Sequence, residues 1–197
     1  VAIAQVHAYN GCEHTLCVAE DGKLYSFGYN YRGQLGHGST TSESTPRLVR
    51  ALENRRVSLV SCSYYHSIVA CDVGDVFTFG RNDFGQLGHG EQHAGPTPRR
   101  VGGLRHVKVL GIACGDFHTL TLADDGLVYT WGAGSFGEVH RATWRATPAT
   151  EEASASRVIL GRTEPPLAVS HRVGTPVLVS MNKEYIAAIL SPRVTCL

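Results

Sequence analysis

No stretch of this chain approaches the ~20 consecutive apolar residues that would span a bilayer as a helix. Val1 to Val18 is moderately apolar, yet it lacks the basic start and the continuous apolar segment of a secretory leader. Charge of one sign is missing too, since 18 basic and 17 acidic side chains leave a formal charge of +1. That balance gives no electrostatic footprint for DNA, RNA or an anionic lipid surface, so neither nucleic acid nor membrane is an expected partner. There is no N-x-S/T glycan acceptor and no CxxC pair. The six cysteines (Cys12, Cys17, Cys62, Cys71, Cys114 and Cys196) are scattered rather than grouped into a disulfide framework. These absences point to a reduced, intracellular setting, with the cytoplasm expected and the nucleus open as an alternative. Methionine is scarce as well. The chain opens on Val1 and its one methionine is Met181, which reads as a piece of a longer protein.

What the chain does have is self-similarity. With 197 residues, 43% of them hydrophobic, it holds enough apolar material for a domain with its own core. His14-Thr15-Leu16, His66-Ser67-Ile68 and His118-Thr119-Leu120 follow one another at intervals of 52 residues. Each leads through a glycine turn (Asp21-Gly22, Val73-Gly74, Asp125-Gly126) into an aromatic segment that ends in Gly28, Gly80 or Gly132. Beyond it stand Asn30-x-x-Gly33-Gln34-Leu35-Gly36-His37-Gly38 and Asn82-x-x-Gly85-Gln86-Leu87-Gly88-His89-Gly90, closed by Thr45-Pro46 and Thr97-Pro98. No gap is needed to align the first two copies.

Each copy reads as four short strands. A β-branched run, Val57 to Val60 or Val107 to Leu110, precedes the histidine, and a second apolar run follows it. The glycine turn matches the twist of a tight hairpin and delivers the aromatic strand. The last strand starts at Pro46 or Pro98, which suits a sheet edge because proline there removes no needed donor. No segment carries a 3.6-residue apolar period, so radial sheets fit better than a helical solenoid. The expected fold is all-β: a β-propeller with three four-stranded blades over residues 1–140 and an irregular insertion over 141–170. A worn, partial fourth blade over 171–197 then leaves the ring incomplete, with strands at Val177 to Ser180 and Tyr185 to Ile189 and with Tyr185 in the histidine slot. The third copy also departs from the pattern, keeping Gly137 but replacing Gln-Leu-Gly by Glu138, Val139 and His140.

The recurring H-[TS], glycine turn and Y/F-x-F/W-G-x-N-x-x-G-Q-L-G pattern resembles the regulator of chromosome condensation (RCC1) repeat family of seven-bladed propellers. The resemblance is close up to about residue 140. It implies a protein–protein interaction module of a large intracellular protein, foremost a HERC-type ubiquitin ligase or adaptor with a ubiquitination substrate as partner. The alternative it implies is guanine-nucleotide exchange on a small GTPase. The family also includes UV-B photoreceptors, in which clustered Trp and Arg precede the repeat histidine. Here those slots hold Cys12-Glu13, Tyr64-Tyr65 and Asp116-Phe117, and the two tryptophans are Trp131 and Trp144, which argues against photoreception.

Candidate chemistry is weighed against architecture. Cys62-x-x-x-His66 and Cys114-x-x-x-His118 have ligand-type residues, but each pair repeats the same slot in another blade, whereas a metal needs about four ligands on one point. A metal site is therefore not expected, nor is a cofactor. His14, His66 and His118 are read as structural, each bonding backbone within its own blade. His37 and His89 are read as turn residues. Gly28, Gly80 and Gly132, with Gly33, Gly85 and Gly137, are read as turn formers. No serine or cysteine nucleophile stands in a strained elbow, so no catalytic residue is assigned. Variation within the constant frame marks recognition. The variable loop positions Tyr31, Arg32, Arg81 and Phe84, of residue types favoured at binding hot spots, form the candidate surface.

Overall fold

The computed structural model describes residues 1–8, 12–124, 127–134, 137–138, 142–143, 177–180 and 187–190. The first sheet has strand order β1-β2-β3-β4, from Ile3–His7, His14–Ala19, Leu24–Gly28 and Glu43–Leu48. The second repeats it with β5 (Val57–Cys62), β6 (His66–Cys71), β7 (Val76–Gly80) and β8 (Gly95–Arg100). The third runs from β9 (Val109–Cys114) through β10 (His118–Ala123) and β11 (Leu127–Gly134) to β12 (Gly137–Glu138), with β13 (Ala142–Thr143) also on β11. A two-stranded sheet follows, β14 (Val177–Ser180) against β15 (Ala187–Leu190). All pairs are antiparallel, and the described residues contain no α-helix. Asp125-Gly126, Val139, His140, Tyr185 and most of the 141–170 segment lie outside the described residues.

The two middle strands keep one register in every blade: His14 faces Gly28, His66 faces Gly80 and His118 faces Gly132. Two of the three core clusters lie between neighbouring sheets. Along β6 the side chains alternate, so Val69 and Cys71 join Leu16, Val18 and Leu24 of the first blade, while Ile68 and Ala70 join Val109 and Cys114 of the third. Every residue of β6 and β7 is consequently buried, whereas β1 is largely exposed. A strand covered on both faces explains why Ile68 to Cys71 is an unbroken apolar run rather than an alternating one. Burying Phe79 alone contributes about 2–3 kcal/mol.

Three sequence expectations shift. The inner strand of the first blade does not follow the gapless 52-residue alignment: His7 pairs with Leu16 as Ser61 pairs with Ile68, so β1 sits two residues earlier relative to its histidine. In the third blade the run expected to begin at Val107 starts at Val109. The strand expected over Tyr185 to Ile189 lies at Ala187–Leu190.

Candidate interaction surface

The repeat histidines bond differently from the reading above. His14 Nε2 lies 2.8 Å from Ser67 Oγ, and that hydroxyl donates to the Gln34 carbonyl at 2.9 Å. One blade further on, His66 Nε2 lies 2.9 Å from Thr119 Oγ1, which donates to the Gln86 carbonyl at 2.7 Å. Each ring therefore reaches the next blade's hydroxyl rather than its own backbone. Because the hydroxyl proton goes to a carbonyl, the ring must donate from Nε2, which fixes the tautomer. Burial pushes the His66 imidazole down to about 3, so the ring is neutral in the fold. His37 and His89 do more than turn the chain: their Nε2 atoms lie 3.1 Å from the hydroxyls of Ser26 and Thr78, which donate to the carbonyls of Leu35 and Leu87.

Glycine brings two variable loops of each blade together. Gly80 has φ +109°, and a Cβ there would stand 2.5 Å from the Tyr65 carbonyl oxygen. Freed of that clash, the next amide, Arg81 N–H, donates to the same carbonyl at 2.9 Å. Tyr29 N–H to Glu13 O (2.7 Å) and Ala133 N–H to Phe117 O (2.8 Å) repeat the contact. The loop after the aromatic strand is thereby pinned beside the dipeptide that precedes the repeat histidine.

On this frame sits an aromatic strip with arginine at its centre. The Arg81 guanidinium lies 5.2 Å from the Tyr65 ring centroid, 5.6 Å from Phe84 and 5.3 Å from Phe117 of the third blade. Phe84 and Phe117 pack with centroids 4.9 Å apart. Asp83 Oδ2, 2.7 Å from Arg81 Nε, pairs with the guanidinium beside these rings. Tyr64 and Tyr65 pair at 4.4 Å, and Tyr29 and Tyr31 at 4.8 Å. Glu13 joins the groups: its carboxylate is the chief cause of a raised Tyr64 phenol pKa, and it also raises Tyr29 after desolvation and Tyr31. Among the described residues, Tyr31 (68%) and Phe84 (43%) are exposed large hydrophobic side chains.

Of the four candidates, the structure joins Arg81 and Phe84 directly, sets Tyr31 against Tyr29, and leaves Arg32 exposed beside them. Tyr64, Tyr65 and Phe117 complete the strip and were not among the candidates. Their signal was present: aromatic residues in variable slots just before an invariant histidine.

A profile of the regulator of chromosome condensation (RCC1) repeat matches residues 21–70 and 73–122, and a second profile of that repeat matches 57–86 and 109–138. The chain belongs to the RCC1 repeat family. Human E3 ubiquitin-protein ligase HERC2 is 36% identical over 141 residues, covering 71% of this chain and 3% of HERC2. Human HERC6, described as a probable E3 ubiquitin-protein ligase, is 36% identical over 135 residues, 68% of this chain and 13% of HERC6. This RCC1-repeat chain thus spans a small part of either relative. Among solved structures, Prp20p of Saccharomyces cerevisiae superposes with a TM-score of 0.58 at 24% identity, covering 67% of this chain and 33% of Prp20p. That likeness shows the RCC1-type propeller fold.

Proposed function

We propose that this chain is a protein-interaction module within a larger intracellular, cytoplasmic protein of the HERC ubiquitin-ligase kind, and that the aromatic strip is its docking face. A substrate of ubiquitination or an adaptor is the occupant, and residues 171–197 continue the propeller as a diverged fourth blade. The observation that carries the reading is the Arg81 cage, in which one cation and three aromatic rings from two blades converge on a rigid, repeat-built frame. Such clusters concentrate binding energy, with single truncations costing about 2 kcal/mol or more at hot spots. The HERC relatives support the host assignment.

The test is a proximity-labelling comparison of the full-length protein with its Arg81→Ala and Phe84→Ala variants, followed by reconstitution with each purified partner that is lost. At least one partner should bind the wild type directly and the variants tenfold or more weakly. Identical partner sets at unchanged affinity would refute the assignment of this face. A second reading, a small GTPase as partner, draws support from Prp20p, a protein with binding properties to Gsp1p and histones. Accelerated nucleotide release from a GTPase in the presence of the complete protein would favour it, and uncatalysed rates across a GTPase panel would remove it.

A further inference from the structure

At two positions the seam between the first two blades carries metal-ligand atoms where the next seam carries hydroxyls. At the second seam Ser61 Oγ accepts the Cys114 N–H at 3.1 Å, and Ser63 Oγ sits 2.7 Å from His66 Nδ1. At the first seam the corresponding places are taken by His7, whose Nδ1 faces the Cys62 N–H at 3.3 Å, and by Cys12, whose Sγ lies 3.0 Å from His14 Nδ1. Two hydroxyls have become an imidazole and a thiol.

The outcome is three ligand atoms converging from two strands and a loop, with a fourth, His7 Nδ1 on β1, next to one of them. Cys12 Sγ lies 3.8 Å from Cys62 Sγ, and Cys62 Sγ lies 3.3 Å from His7 Nδ1. The ligand atoms of Cys12, His14 and Cys62 all fall within 4.8 Å of one another. With Zn–S near 2.3 Å and Zn–N near 2.0 Å, a tetrahedron has S···S edges of about 3.8 Å and S···N edges of about 3.5 Å. The Cys12–Cys62 edge of 3.8 Å matches, and the Cys62–His7 and Cys12–His14 edges of 3.3 and 3.0 Å are shorter than the ideal.

The second shell is also in place. His14 must donate from Nε2, because Ser67 Oγ spends its own proton on the Gln34 carbonyl. Its Nδ1 lone pair is therefore directed at Cys12, and the far nitrogen is anchored by a hydroxyl–carbonyl relay, as metal-bound histidines commonly are. Cys12 and His7 are part-exposed, giving an ion a route in.

We propose that His7, Cys12, His14 and Cys62 bind one tetrahedral zinc ion that clamps the first blade to the second. The ion enters as hydrated Zn²⁺, both thiols release their protons to solvent, and no electron is transferred. Soft sulfur with imidazole in a closed tetrahedron selects zinc over magnesium or calcium.

The test uses the full-length protein, reduced and stripped of metal, titrated with Co²⁺ as a spectroscopic stand-in and then with Zn²⁺. Wild type should bind one Co²⁺ more than Cys12→Ser does, with a thiolate-to-cobalt charge-transfer band and tetrahedral d–d bands that Zn²⁺ abolishes. Cys17→Ser and Cys71→Ser should keep that equivalent. The double variant His7→Ser, Cys12→Ser copies the hydroxyls of the second seam. It is expected to remain folded by circular dichroism while losing the ion. Equal metal content in wild type and the double variant would overturn the proposal. So would a disulfide-linked Cys12–Cys62 peptide pair in protein purified without reductant and holding no zinc at this seam.

Discussion

Removing one hydroxyl from each seam should cost different amounts, and the difference is set by a single indole. Ser67→Ala takes the partner from two buried groups, the His14 Nε2–H and the Gln34 carbonyl. Thr119→Val takes the partner from the His66 Nε2–H, but the Gln86 carbonyl keeps the Trp131 Nε1–H at 2.8 Å. The first seam has no such cover, because Phe79 stands where Trp131 does and carries no N–H. Leaving a buried polar group unpaired costs about 1–3 kcal/mol. Ser67→Ala should therefore destabilise by about 2–6 kcal/mol and Thr119→Val by about 1–3 kcal/mol, roughly half as much. Adding Trp131→Phe to Thr119→Val exposes the second carbonyl and should bring the two seams level, after allowance for the lost ring. The assay is urea unfolding followed by circular dichroism, with midpoints compared at constant slope. A cost for Thr119→Val equal to or above that for Ser67→Ala, with Trp131 intact, would refute the relay as the determinant of blade docking.

Acid should weaken the fold in a defined window. His66 is held neutral down to about pH 3 by burial, while its unfolded value is 6.5, so only the unfolded chain takes up the proton between the two. Stability is fully present above pH 6.5 and falls as pH drops toward 3, by up to about 1.4 kcal/mol per pH unit for this site. His37, His89 and His118 shift in the same direction, again chiefly through burial, so unfolding midpoints measured across this range should fall monotonically with acid. Gly80→Ala should cost about 3 kcal/mol or more, since its Cβ would meet the Tyr65 carbonyl at 2.5 Å. Gly85→Ala, with open space around it, should cost about 1–2 kcal/mol for its left-handed backbone alone, and thermal melts of the pair separate the two causes. Arg81→Ala should loosen the strip locally, read as faster amide exchange at Phe84 and Phe117 with the global melting temperature little changed.

The blades were legible because their period, turn glycines and aromatic strands are local signals that repeat at constant spacing. The inner strand of the first blade was not. A constant 52-residue ruler runs through His14 and His66, but the two-residue offset before His14 is a matter of strand pairing, which spacing alone does not encode. The same offset hid the Cys12–Cys62 contact, since the ruler sets Cys62 opposite Asn10 and pairs it with His66 by proximity in sequence. Arg81 and Phe84 were readable as variable loop residues. That Phe117 would close the cage was not readable, because it comes from the next blade and depends on how two sheets stack.

The His-to-hydroxyl link runs in one direction along the chain, from each histidine to the residue that follows the next one. Excising residues 67–118 would fuse His66 to Thr119 and present His14 with a hydroxyl in the same position. The propeller therefore resembles a string of identical couplings: a whole period can be spliced in or out and the joint re-forms, whereas losing a few residues mid-period breaks it. Gain and loss of complete units is the route by which such a ring can change size without inventing a new contact.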